Sequence, residues 1–364
     1  MLKNKTVAVV VPAYNEEQQI GMVLETIPDF VDRIIVVNDK STDNTAKVVE
    51  GYINRDNREV RDLNHKKRIV LNRYNRAELV VEEMREKEKE RYIPAEIVNK
   101  NLKTSRIILI NHLKNGSVGA SIATGYRWCL ENNIDCTAVM AGDGQMDPDE
   151  LEAVCIPIIE GEVDYVKGNR LKHRSAHLVI PKVRLFGNSV LSLLTKISSG
   201  YWRVSDTQTG YTAISLGALK GINIYEIYPS YGCPNDILVK LNIANFVIKE
   251  IPIKPVYDVG EQSKMKIFKV IPKIAILLFK LFWVRLYKKY LFRDFHPLFL
   301  LYHLSVLLLL LDVPYTIAVF KDIFLGQKIA TNSLIAFMFL SITGFQSLFF
   351  AMWMDMMDNE KLQK

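Results

Sequence analysis

Two apolar stretches, Leu298–Phe320 and Ile329–Met354, restrict this chain more than any other feature of it. Each is long enough to cross a hydrocarbon core of about 30 Å at about 1.5 Å per residue. Only Lys321–Lys328 lies between them, and so short a link forces an antiparallel hairpin with both flanks on one side. Asp312, inside the first stretch, is expensive in lipid and is expected to face the partner helix or another subunit. Upstream stands a belt of cations: Lys264, Lys266, Lys269, Lys273, Lys280, Arg285, Lys288, Lys289 and Arg293. Beside a hairpin, such a belt is drawn to anionic lipid at roughly 1 kcal/mol per residue near the surface. It also places the preceding domain in the cytoplasm. Apolar residues alternate with these cations over Lys266–Phe292, and Trp283, Tyr287 and Tyr290 stand among the lysines. That pattern predicts one or two helices lying in the interfacial plane, broken near Pro272.

The net charge of +7 is therefore read as an affinity for membrane. No zinc-finger, RNA-recognition or basic-zipper pattern supports a nucleic-acid partner. Cys129, Cys136, Cys155 and Cys233 form no CxxC pair and read as reduced core thiols. Met1–Thr6 runs straight into a strand-like segment, so no signal peptide is expected.

Before the belt the chain alternates strand and helix. Thr6–Val11 and Arg33–Asn38 are continuous β-branched runs, the pattern of strands buried on both faces. Asn15–Asp29 carries Ile20, Val23, Leu24 and Ile27 at helical spacing, and a helix is expected to open at Ser41. From Tyr52 to Thr104 the composition turns to Lys, Arg, Glu and Asn, which reads as an insertion containing a helix over Asn75–Arg91. The alternation resumes with strand Arg106–Asn111, helix Val118–Asn132, strand Thr137–Ala141, helix Asp147–Ile159 and strand Asp164–Lys167. This order predicts a mostly parallel sheet with helices on both faces.

Open sheets of this class bind ligands beyond the carboxyl ends of their strands. Polar clusters fall at those ends here. They are Pro12-Ala13-Tyr14-Asn15-Glu16-Glu17, Asn38-Asp39-Lys40-Ser41-Thr42-Asp43, and Gly142-Asp143-Gly144-Gln145-Met146-Asp147-Pro148. Any one of them is ordinary turn chemistry. Three, each at the end of a strand, read as a site.

In combination these motifs resemble the family-2 glycosyltransferases of the GT-A (Rossmann-like) fold. The likeness continues through Gly168-Asn169-Arg170, Arg184-Leu185-Phe186-Gly187-Asn188, Asp206-Thr207-Gln208-Thr209-Gly210-Tyr211 and Asn235-Asp236. With the belt and hairpin included, the chain is most similar to polyprenyl-phosphate sugar synthases of the dolichol-phosphate-mannose-synthase type. The resemblance implies that Pro12, Tyr14, Glu16 and Asp39 surround the nucleotide of a nucleotide-sugar donor. It implies that Asp143 and Gln145 sit at a divalent metal, Mg²⁺ or Mn²⁺, that bridges the donor's diphosphate. The family's Asp-x-Asp pair has lost its first member to Ala141, leaving one carboxylate for that metal. Asp236 matches the acidic residue that processive synthases use as a base, and it equally reads as a helix cap. A lipid phosphate acceptor needs cations rather than a base, and Arg170, Arg184 and Lys264 are the candidates.

The sequence lacks the Q-x-x-R-W motif of cellulose- and hyaluronan-type synthases, and one hairpin encloses no polysaccharide channel. The expectation is an inverting transfer of a single sugar from a UDP- or GDP-linked donor to polyprenyl phosphate at the cytoplasmic membrane face. Two alternatives stay open: transfer to a lipid or glycan hydroxyl with Asp236 as base, and a non-catalytic membrane scaffold. The expected organisation is a catalytic domain over 1–260 with the insertion at 52–104, interfacial helices over 261–296, a hairpin over 297–356, and a cytoplasmic tail over 357–364. Self-association of this multi-pass membrane protein is left open.

Overall fold

The computed structural model describes residues 2–56, 58, 60, 63, 72–180, 182–256 and 267–364, with backbone only at 177, 182–186 and 267–270. The insertion's 57–71 region is therefore described only at 58, 60 and 63, and Lys264 lies outside the described residues.

The first half alternates as its apolar runs require: β1 (Val7–Ala13), α1 (Ile20–Thr26), β2 (Arg33–Asn38) and α2 (Thr45–Arg55). The insertion supplies α3 (Arg76–Glu88) and β3 (Ala95–Ile97); then come β4 (Ile107–His112), α4 (Val118–Glu131), β5 (Cys136–Val139), α5 (Leu151–Ile159) and β6 (Tyr165–Asn169). A short α6 (Ala176–Val179) precedes α7 (Lys182–Ser199), β7 (Thr212–Ser215), α8 (Leu216–Gly221), α9 (Cys233–Ile243) and β8 (Ile248–Pro252). One 8-stranded sheet results, in the order β3-β4-β2-β1-β5-β7-β6-β8. Only β3 and β7 run antiparallel to their neighbours. The sheet is mostly parallel.

Period-two alternation divides each strand between two cores. Ala8 and Val10 of β1 face a cluster with Tyr126 and Cys129 of α4 and Leu238 of α9. Val7, Val9 and Val11 face the opposite cluster, with Leu24 of α1 and Leu151 of α5. Both faces are covered, which is why these strands read as unbroken apolar runs.

Two boundaries differ from expectation for a local reason. Helix α1 starts at Ile20 rather than Asn15, because Asn15 has φ +54 and its side chain accepts from the Thr42 N–H at 2.8 Å. Helix α2 starts at Thr45 rather than Ser41, because Asp43 accepts from the Thr45 N–H and Ser41 bonds Asn15 instead. Strand β3 was not expected. It pairs with β4 and extends the sheet edge, while cation–π contact of Arg127 with Tyr92 at 4.9 Å ties the insertion to α4.

Past β8 the described residues form three long helices: α10 (Ile267–Tyr287), α11 (Pro297–Phe324) and α12 (Thr331–Asn359). Pro272 does not break α10. It sits in the second turn, and the helix continues through it before turning π-helical over Lys288–Arg293. One face of α10 packs on the domain, with Ile274 and Leu278 buried against Leu191 of α7, while Ile276 and Phe279 stay exposed. The cation belt divides in the same way. Lys273, Lys280 and Lys288 face outward, but Arg285 and Lys289 are buried.

These two hold the hairpin to the domain. Arg285 Nη1 and Nη2 donate to Asp355 of α12 at 2.7 and 2.8 Å, and Nε donates to the Ser198 carbonyl. Lys289 Nζ donates to Asn242 of α9 and Asn359 of α12. Gly200 ends α7 with φ +76, and a Cβ there would meet Arg285 Nη1 at 2.6 Å, so the guanidinium seat needs glycine. Within the hairpin Asp312 faces the partner helix, accepting from Ser341 Oγ and Thr316 Oγ1 at 2.5 and 3.1 Å. The most apolar stretches of α11 and α12 are only 28% and 17% buried, which is not how core helices of a soluble bundle sit.

Candidate active site

Because β4, β2, β1, β5 and β6 run the same way, their carboxyl ends share one edge of the sheet. Strand β7 is antiparallel, so the loop entering it, Asp206–Tyr211, arrives at the same edge. Sequence motifs far apart in the chain are thereby collected. The Gly142 N–H donates to the Pro12 carbonyl at 3.1 Å, the Asp39 N–H to the Ala13 carbonyl at 2.9 Å, and the Tyr211 hydroxyl to the Asp147 carbonyl at 2.9 Å.

Pro12 is buried within β1; in the loop after it Tyr14 is exposed and Glu16 is half-buried with its N–H on Thr45 Oγ1. Asp39 points inward instead. It is 3% exposed and accepts from His112 Nδ1, the Gly116 N–H and the Ser117 N–H, each at 2.7 Å. A carboxylate only accepts, so His112 Nδ1 carries the proton. Nε2 meets Thr124 Oγ1 of α4 at 2.9 Å. Asp39 thus builds the loop before α4, and His112 is a residue that motif reading missed. Its signal was present: a polar residue closing the apolar run of β4.

In the turn after β5, Asp143 Oδ1 accepts from the Gln145 N–H at 3.0 Å, and Gly144 between them takes φ +76. Among the described residues no group of three or more His, Cys, Asp or Glu could hold a metal. Asp147 is committed elsewhere, to Lys254 at 2.7 Å. One carboxylate beside an amide fits Mg²⁺ or Mn²⁺ completed by diphosphate oxygens and water, and does not fit an ion held by protein alone.

Arg170 follows β6 and meets Asp206 side-on: Nε donates to Oδ2 at 2.8 Å and Nη2 to Oδ1 at 3.0 Å. Burial alone would raise the Asp206 carboxyl, but the Arg170 bonds and charge hold it below its ordinary value. Behind them lies a buried polar network. Glu250 of β8 accepts from the N–H groups of Ser205 and Asp206 and from Asn169 Nδ2. Lys167, fully buried, donates to the Thr209 carbonyl, and burial pushes its ammonium down to about 8. Asn169 stands in the Gly168-Asn169-Arg170 motif, but Lys167 and Glu250 escaped the motif reading, although polar residues inside buried strands are themselves a signal.

Asp236 is in the first turn of α9, 3% exposed. It accepts from the Tyr228 N–H at 2.8 Å and from Lys240 Nζ at 2.6 Å through both oxygens. Its side chain caps no N–H of α9, whose N-cap is Gly232; it ties the turn at Tyr228 to Lys240 one helical turn on. Its neighbour Asn235 is the one that reaches the site loop, through Gln208 Nε2 at 3.3 Å. Arg184 lies in the first turn of α7, where only the backbone is described.

The sheet, the strand-end loops and the acidic turn define a glycosyltransferase, and the comparisons agree. Residues 8–77 match the model of Glycosyl transferase family 2. It is 28% identical over 257 residues to the UDP-N-acetylglucosamine–dolichyl-phosphate N-acetylglucosaminyltransferase of Methanococcus voltae, covering 70% of this chain and 88% of that one. It is 25% identical over 285 residues to a dolichyl-phosphate beta-glucosyltransferase of Trichomonas vaginalis, covering 73% and 68%. Among solved structures, glucosyl-3-phosphoglycerate synthase of Mycobacterium tuberculosis with Mn²⁺ and UDP-glucose aligns at a TM-score of 0.45 and 17% identity, covering 78% of this chain and 80% of that one.

Proposed function

We propose that this glycosyltransferase moves a single sugar, with inversion, from a nucleotide-linked donor to polyprenyl phosphate at the cytoplasmic face of a membrane that its hairpin crosses. The observation that carries the choice of acceptor is the state of Asp236. Buried, bonded to the Tyr228 N–H and paired with Lys240, it is poorly placed to take a proton from a hydroxyl. A phosphate monoester is already anionic and needs no base. One of its oxygens attacks the anomeric carbon, the new C–O bond forms as the bond to the diphosphate breaks, and the nucleoside diphosphate leaves with the electron pair.

The residues divide the remaining work. Tyr14 and Glu16 border the donor's base and ribose, and Asp39 shapes that wall by holding the Gly116–Ser117 loop. Asp143 and Gln145 would hold a divalent cation, which when bound supplies stabilisation of the charge on the departing diphosphate. Arg170, fixed by Asp206, presents a cation toward the acceptor phosphate. Arg184 and Lys264 remain proposed partners in that task. Two relatives named for dolichyl phosphate, one of them also for a UDP-linked sugar, support the lipid phosphate and favour a uridine donor.

Transfer to a short polyprenyl phosphate and slow donor hydrolysis, measured side by side, test this. Arg170→Ala should cut transfer by about tenfold or more, the scale of a lost charge-assisted bond, while sparing hydrolysis. If transfer survives Arg170→Ala and is abolished by Asp236→Asn, the acceptor is a hydroxyl.

A further inference from the structure

The residues that follow the second apolar helix are built into the catalytic domain rather than trailing from it. Leu362 is buried in the core cluster between the sheet and α4. Gln363 forms a parallel bridge with Ile248 at the start of β8, and the Lys364 N–H donates to the Ile248 carbonyl at 3.0 Å. The Gln363 side chain, 8% exposed, accepts from the Arg203 N–H at 2.6 Å through Oε1 and donates to the Asn359 carbonyl at 3.2 Å through Nε2. Glu360 pairs with the Arg203 guanidinium.

Arg203 opens the loop that carries Ser205 and Asp206. That loop is held from its other side by Glu250 of β8, the strand whose first residue Gln363 bridges. Asp206 in turn fixes Arg170 through two side-chain bonds. One continuous set of contacts therefore runs from the end of the hairpin, through Gln363 and Arg203, to the guanidinium facing the acceptor.

We infer that Gln363 is a positioning residue for acceptor binding: by fixing the Arg203–Asp206 loop it sets the place of Arg170, and so couples the membrane hairpin to the lipid-phosphate subsite. This rests on the reading of Arg170 as the acceptor's cation. Gln363 touches no reacting atom, and its effect belongs in acceptor KM rather than in donor binding.

The test uses the full chain in detergent with a short polyprenyl phosphate and the preferred nucleotide sugar. Gln363→Leu keeps the volume and burial but removes the acceptor of the Arg203 N–H. It should raise acceptor KM by about three- to tenfold, the scale of one neutral hydrogen bond, and leave donor KM within about twofold. Asp206→Asn should raise acceptor KM by more. In the double variant, Gln363→Leu should add little to Asp206→Asn, because both act through the same contact chain. An unchanged acceptor KM in Gln363→Leu, with Asp206→Asn and Arg170→Ala both impaired, overturns the coupling and leaves the phosphate reading intact. Parallel rises in both KM values with a lowered Tm overturn it in favour of a purely structural tail. If Arg170→Ala and Asp206→Asn also leave acceptor KM unchanged, the phosphate reading falls and the inference with it.

Discussion

Ala141 removes one carboxylate from the turn after β5 and leaves Asp143 beside Gln145. If Asp143 is the principal protein ligand, Asp143→Ala should lower metal-dependent transfer by at least about a hundredfold in a chain that still folds. A folded variant with near-normal turnover would remove Asp143 from the metal. At Asp236 the expectation is reversed: Asp236→Asn should weaken the start of α9, seen as a lower Tm, yet retain transfer to a lipid phosphate. The difference between these two acids was only half legible in the sequence. Both stand in motifs at element ends, and both attract attention for that reason. What separates them is the partner each acquires. The Tyr228 N–H that donates to Asp236 comes from a turn that no motif marks. For Asp39 the distance is greater still, since its partner His112 is 73 residues away.

Among elements, the buried strands were the most legible. Arg33–Asn38 emerges with the predicted bounds because a β-branched run covered on both faces admits little else. Helix starts were less so, because side-chain bonds between the first two loops decide them. Least legible was the direction of the cation belt: composition places Arg285 and Lys289 with their neighbours, and only the position of α12 turns them inward. Arg285→Ala would leave Asp355 charged and buried. That change should destabilise the hairpin–domain junction by about 3–5 kcal/mol, measured by unfolding in detergent. Lys289 makes the junction sensitive to pH. Burial, with Arg285 beside it, holds its ammonium down at about 8 against an ordinary 10.5. Between those values the unfolded chain binds more protons than the folded one, so stability should rise with pH across that window. Below it the penalty of the buried charge is fully present. The unfolding free energy of wild type minus that of Lys289→Met should therefore increase from pH 8 to 10.5, and a flat difference would contradict this.

For the molecule as a whole, the belt and the docking of the residues after α12 put both hairpin flanks beside the catalytic domain. Single cysteines at Gly326, Lys3 and Lys364, probed in sealed vesicles, should show position 326 on the opposite side from the other two. Cys129, Cys136, Cys155 and Cys233 are all buried and should add little background. Equal protection of the three probes would argue against a crossing hairpin. The general plan, an α/β domain followed by an apolar hairpin, was readable from period and length alone. That the hairpin's far end returns to complete the domain was not, because Leu362 and Gln363 look in sequence like any polar-flanked tail. Mass analysis of the product identifies the acceptor. The purified chain would be given a panel of UDP- and GDP-linked sugars with a short polyprenyl phosphate, or with the matching polyprenol. One product is expected, polyprenyl phosphate carrying a single sugar, and none from the alcohol. Transfer to polyprenol but not to its phosphate, or a product carrying a chain of sugars, would contradict the proposed function.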